Sequence, residues 1–240
     1  MTTVDPELLI HSDASDLAFS AASRLITAIA DAQSTGGIAQ VVLTGGRVAS
    51  AVYGAVAESP ARVEVDWQRV EFWWGDERFL PSGDPERNET QARDAMLSAL
   101  DVDPARVHPM AADTGQGAEA AAAAYAAELE AAGSPTFDVL MLGVGPDGHV
   151  ASLFPGYPQL AVTDAAAVAV HDSPKPPPTR LTLTLPTLAR AREIWFVVSG
   201  EDKADAVAKA LAEDDIPAAR PKGENRTLWL LDEASASKVS

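Results

Sequence analysis

The sequence predicts an α/β fold with a mainly parallel sheet flanked by helices on both faces. Short apolar runs alternate with longer segments of helical periodicity, the pattern that builds strand–helix–strand units. Several of those runs end abruptly in glycine, as strands do where the chain turns into a loop. No fixed-period repeat and no Gly/Ser linker divides residues 1–240, and the Pro-rich Ser173–Pro178 is too short to do so. A single domain over 1–240 is expected.

Leu8–His11 reads as the first strand. Ser12 and Asp13 offer N-cap oxygens for a helix to about Gln33, with Leu17, Ala21, Leu25 and Ile29 on one face. Gly36 and Gly37 reset the chain before a buried strand, Ala39–Leu43, and Val48–Ala57 follows as a helix behind Gly45 and Gly46. Val70–Trp74 is the next strand and runs into Gly75-Asp76-Glu77-Arg78. Glu89–Leu100 and the Ala-rich Ala118–Ala132 are expected helices, the second on propensity alone. Phe137–Leu142, Ala165–Val170, Leu181–Leu185, Ile194–Ser199 and Thr227–Leu231 read as strands. Pro186–Arg192 and Asp202–Ala212 read as helices.

Composition narrows the function. Apolar residues make up 47% and charged residues 22% of 240 residues, an ordinary globular balance with room for a sizeable core. No apolar run approaches the roughly 20 residues of a membrane span, and the first residues lack a basic-then-apolar leader. A cytoplasmic protein without a membrane partner is expected. With no cysteine there is no disulfide, thiolate metal site or cysteine nucleophile. A net charge of −17 opposes a nucleic-acid partner, and it makes any local cluster of cations conspicuous.

Four strand ends carry chemistry-bearing residues: Thr44-Gly45-Gly46-Arg47, Gly75-Asp76-Glu77-Arg78, Gly143 to His149, and Gly200 with Lys203. In α/β sheets, ligands gather outside the carboxyl ends of the strands. Gly45 and Gly46 ahead of a helix can offer free amides to a phosphate, though a plain tight turn uses the same residues. The Gly75–Arg78 cluster reads either as a solvated turn with an internal ion pair or as a hydroxyl-binding and anion-binding corner. Arg180 opens a strand after the prolines. Lys203 lies in the first turn of a helix, where the dipole disfavours a cation unless an anion binds there.

His149 is the sharpest of these residues. The other three histidines lack neighbouring glycines or paired acids, whereas Asp147 stands two residues away. An imidazole suits general-base activation of water. The blander alternative is a histidine that caps the Ser152 segment. The GVGPDG stretch fits dinucleotide spacing, but it lacks a long following helix and an acidic ribose partner about 20 residues on. Asp76, Glu77, Asp147 and His149 match no zinc-helix spacing. Neither metal nor cofactor is expected.

Taken in order, these motifs resemble the 6-phosphogluconolactonase family within the glucosamine-6-phosphate isomerase/lactonase superfamily. The matching parts are Leu43–Gly46, Trp74–Arg78 followed by Asn88, Gly143–Gly156, Arg180–Leu183, and Gly200 with Lys203. The GVGPDGHVASLFPG segment is the specific one. Related deaminases typically continue after DGH into an FNEP-like stretch, where this chain has Ala151-Ser152-Leu153-Phe154-Pro155. Arg47-Val48-Ala49 departs from the Ser/Thr-Pro that is common in the family after the glycines.

The resemblance implies a Rossmann-like fold. It also implies hydrolysis of 6-phosphoglucono-δ-lactone, which requires no metal or cofactor; a monomer or small homo-oligomer is expected. His149 would act as base, Asp147 would orient it, and Arg78 or loop amides would stabilise the oxyanion. Gly45, Gly46, Arg47, Arg180 and Lys203 would hold the phosphate and Asp76 the sugar hydroxyls. A deaminase-type isomerase and a non-catalytic sugar-phosphate-binding protein are the alternatives.

Overall fold

The computed structural model describes residues 5–239, so the leader reading at residues 1–4 lies outside the described residues. Six parallel strands form the main sheet: β1 (Glu7–His11), β2 (Ala39–Leu43), β3 (Val70–Trp74), β5 (Phe137–Leu142), β8 (Ala191–Val198) and β9 (Arg226–Asp232). Their spatial order is β1-β9-β8-β5-β2-β3. The short strands β4 (Asp76–Arg78), β6 (Ala167–Val170) and β7 (Arg180–Leu183) make a separate antiparallel sheet in the order β4-β7-β6.

Side chains alternate across the main sheet and divide the core in two. On one face Val41, Leu43, Phe72, Trp74, Val139 and Met141 pack beneath α1 (Ala14–Ser34), α2 (Arg47–Glu58) and α3 (Asn88–Ala95). Helix α1 buries Leu17, Ala21, Leu25 and Ile29, the stripe read from the sequence, and Asp13 caps it through the amides of Ser15 and Asp16. On the other face Val42, Trp73, Leu140, Leu142, Phe196 and Val198 pack against α4 (Ala118–Ala131), α6 (Ala204–Leu211) and the antiparallel sheet. That face is therefore covered by helices and a second sheet together. The remaining helix, α5 (Leu185–Leu188), is a single turn before β8.

Several boundaries differ from expectation: the strand expected over Leu181–Leu185 is Arg180–Leu183, the helix expected over Asp202–Ala212 is a 3-10 turn at Glu201–Lys203 followed by Ala204–Leu211, and three further differences have clear causes. The helix expected over Glu89–Leu100 stops at Ala95, because Met96 leaves helical geometry (φ −142°) to bury itself in the core, and a 3-10 turn follows. The helix expected over Pro186–Arg192 ends at Leu188. Ala191 pairs with Phe137, and strand pairing outweighs local propensity there. Asp76–Arg78 is a strand, paired with Arg180–Thr182, where the sequence suggested a turn.

Chain direction places the site. From β2 the chain crosses to β3 on one side, and from β5 it proceeds to β8 on the other. The adjacent pair β2/β5 is thus a topological switch point, where a crevice opens beyond the carboxyl ends.

Candidate active site

A cleft of about 590 Å³ lies at that switch point, lined by residues from all four strand ends. It brings together Gly45, Gly46, Arg47, Asp76, Arg78, His149, Arg180 and Lys203; of the residues to which the resemblance gave a role, only Asp147 is not in its lining. Asp147 joins them through His149, whose Nδ1 lies 2.5 Å from its Oδ1. With Nδ1 so engaged, Nε2 is the nitrogen left for a ligand. The ring also rests against Phe154, with centroids 4.5 Å apart, and is not bonded as a cap for the Ser152 segment.

The glycines are what make this pair possible. A Cβ on Gly145 would lie 2.0 Å from His149 Nδ1 and 2.5 Å from Asp147 Oδ1, so only hydrogen fits under the imidazole. Gly148 adopts φ +83°, which turns the loop between Asp147 and His149. Partial burial pushes the Asp147 carboxyl up. The hydrogen bond and charge of His149, with Lys175 beyond, more than offset this and hold it at about 2. The carboxylate therefore stays ionised to orient the ring.

The second corner is built on Asn88. Its Nδ2 donates to Asp76 O at 2.8 Å and to Asp76 Oδ1 at 3.1 Å, while its Oδ1 accepts from Arg78 Nη1 at 2.9 Å. Ser152 Oγ donates to the other Asp76 oxygen at 2.6 Å. A Cβ on Gly45 would fall 1.8 Å from Asn88 Oδ1, so the glycine loop and this corner are interlocked. Glu77, fully buried, accepts amides of Arg78, Asn88 and Glu89 and faces Arg87 at 3.6 Å. Burial pushes its carboxyl up to about 7 against those donors. The Gly75–Arg78 cluster is thus a built corner and not a solvated turn.

Two tyrosine hydroxyls fasten the strand ends from opposite faces. Tyr53 of α2 donates to Thr44 O at 2.7 Å and accepts from Thr44 N–H at 2.9 Å. Tyr125 of α4 holds Trp74 in the same way. Just beyond Thr44, Gly46 (φ +102°) leads into α2, and no side chain caps that helix. Its first amides remain available to an anion.

Five cations line the cleft: Arg47, Arg78, Lys175, Arg180 and Lys203. Among the described residues only Lys203 forms an ion pair, with Asp202 at 2.8 Å. On a chain of net charge −17, cations without carboxylate partners among the described residues, gathered around helix-terminal amides, have the chemistry to hold an anion. A larger groove of about 960 Å³ runs along α1 at the opposite ends of the strands, but its Arg192 and Arg226 are paired with Asp138 and Glu193.

The site residues that sequence reading missed are Lys175 and Ser152, together with the linking role of Asn88. Asn88 was visible as part of the Trp74–Arg78 resemblance. Nothing in sequence marks Lys175, which reaches the cleft only because the Pro-rich segment folds over it.

The model for glucosamine-6-phosphate isomerases/6-phosphogluconolactonase matches residues 12–229. The chain belongs to that family. Within it, a 6-phosphogluconolactonase from Streptomyces coelicolor is 55% identical, with 98% of this chain and 95% of the relative covered. One from Mycobacterium tuberculosis is 45% identical over 96% and 97%. Among solved structures, the 6-phosphogluconolactonase from Trypanosoma brucei superposes with a TM-score of 0.87 at 26% identity, covering 99% of this chain and 100% of that one. The resemblance read from the motifs, to a lactonase-type enzyme of this family, is borne out. A monomeric glucosamine-6-phosphate deaminase shares the fold at 22% identity and a TM-score of 0.80. Among the described residues no helix is long and apolar enough to cross a membrane.

Proposed function

We propose that this chain hydrolyses 6-phosphoglucono-δ-lactone to 6-phosphogluconate, the second step of the oxidative pentose phosphate pathway. One observation carries the reading: an Asp147–His149 pair opens onto a cleft whose cations, apart from Lys203, lack carboxylate partners among the described residues. The electrophile is already present in the lactone, so the protein needs to supply a base, an oxyanion donor and a grip on the phosphate.

His149 Nε2 takes a proton from water as its oxygen attacks the lactone carbonyl. The carbonyl π electrons move onto oxygen, and this oxyanion is met by Arg78 or by loop amides ahead of Gly145, whose own amide is bonded to His149 O. As the carbonyl re-forms, the bond to the ring oxygen breaks, and the imidazolium returns its proton to that oxygen. Asp147 fixes the tautomer and supports the transient positive charge. The phosphate sits against Gly45, Gly46, Arg47, Arg180 and Lys203, with guanidinium groups suited to bidentate contact. Asp76, held by Asn88 and Ser152, keeps lone pairs for sugar hydroxyls.

The test is hydrolysis of freshly generated 6-phosphogluconolactone by the purified chain, corrected for spontaneous opening, with ammonia release from glucosamine 6-phosphate run in parallel. Lactone turnover without ammonia is expected. Ammonia release alone would favour the deaminase, and neither activity would leave a sugar-phosphate-binding protein.

A further inference from the structure

Lys175 is the cleft cation to which the mechanism gives no role. It sits on the loop Ser173–Pro178, which one buried side chain holds in place. Arg180 Nε donates to Pro177 O at 3.0 Å, and its Nη2 donates to Lys175 O at 3.2 Å and Pro176 O at 3.1 Å. Arg180 is 7% exposed, so three carbonyls converge on a guanidinium that cannot swing away. Ser173 Oγ adds a bond to Lys175 O at 3.0 Å, and Ser173 N closes the loop on Pro178 O at 2.9 Å. The strap is tied down on both sides of Lys175.

Lys175 is half-buried. Burial lowers the Lys175 pKa, with Asp147 opposing and the charges of Lys203 and Arg180 adding to the depression. It forms no ion pair among the described residues. Three cations, Lys175 and Arg180 from the strap and the strand it leads into and Lys203 from beyond β8, converge on the same cleft, which also holds the Gly45–Gly46 loop. Like charges held together repel unless an anion lies between them. Arg180 Nη1 makes no hydrogen bond among the described residues and is free to share that anion.

We propose that Lys175 is a substrate-binding residue that contacts the phosphate together with Lys203 and Arg180, and that Arg180 doubles as the strut that presents it. This deepens the lactonase reading above and rests on it for the identity of the substrate, while the anion chemistry stands on the cations themselves. Arg180 variants accordingly lose two contacts at once, their own and that of Lys175.

The test measures KM and kcat for the phosphorylated lactone in the full chain, and inhibition by inorganic phosphate. Lys175→Met keeps much of the side-chain volume without the charge. It should raise KM and the phosphate inhibition constant roughly 10- to 100-fold, the effect of losing one charge-assisted hydrogen bond, and leave kcat within about twofold. Lys175→Arg should recover most of the loss. Unchanged KM and phosphate inhibition in Lys175→Met would overturn the assignment. So would a fall in kcat alone, which would place Lys175 on the Asp147–His149 pair instead. If the unaltered chain lacks lactonase activity, the functional reading fails separately. Calorimetric binding of inorganic phosphate then decides this one, with weaker binding by Lys175→Met in its favour and equal binding against it.

Discussion

Gly145→Ala adds one methyl group to a residue that need not touch the substrate, yet it should cripple the enzyme. The new Cβ would stand 2.0 Å from His149 Nδ1, 2.1 Å from Cε1 and 2.5 Å from Asp147 Oδ1, where ordinary contact begins at about 3.4 Å. The imidazole must retreat by roughly 1.4 Å and the carboxylate by roughly 0.9 Å, and a misplacement of that order costs about 100-fold in rate. Gly145 is not among the glycines of positive φ, so alanine meets no backbone penalty there and the effect falls on the pair. The assay is steady-state hydrolysis of 6-phosphogluconolactone, with circular dichroism and a thermal melt to show that the variant is folded. We expect kcat to fall by about two orders of magnitude with KM changed little. A folded Gly145→Ala protein with near-native kcat would show that the Asp147–His149 geometry does not govern turnover.

Other substitutions read out the rest of the site. Tyr53→Phe strips both buried backbone groups of Thr44 of their partner and should lower the urea-unfolding free energy by about 1–3 kcal/mol while raising KM; an unchanged unfolding midpoint would refute the clamp. Gly45→Ala should be severe alone but mild in an Asn88→Ala background, since the atom that its Cβ meets at 1.8 Å is then gone; additive losses in a double-mutant cycle would refute the interlock. The low Asp147 pKa, about 2, lies below the usual carboxylate range. Its favourable pairing is therefore intact above that range and is lost only as pH falls through about 2. Asp147 is thus ionised well above pH 2, so the acid limb of log(kcat/KM) should have unit slope, and a slope of two would show Asp147 titrating as well.

Much of this was legible in the sequence because period and punctuation carried it. Leu17, Ala21, Leu25 and Ile29 announced the buried face of α1, and glycines after Leu43, Trp74 and Leu142 announced the strand ends that form the cleft. What stayed hidden depends on long-range pairing. Asp76–Arg78 is too short to show a period, and it becomes a strand only because β7 returns beside it. Met96 ends its helix to reach a core that the local sequence does not encode. Lys175 looks like one more surface lysine among prolines until Arg180, the first residue of β7, gathers the three carbonyls around it.

The central claim is that His149 is the base that activates water on a phosphorylated lactone. The most direct measurement is kcat for 6-phosphogluconolactone in folded His149→Ala, corrected for spontaneous hydrolysis. A loss of about 10²- to 10⁴-fold in kcat with substrate still bound is expected, as removal of a general base gives. Near-native turnover in that variant would contradict it.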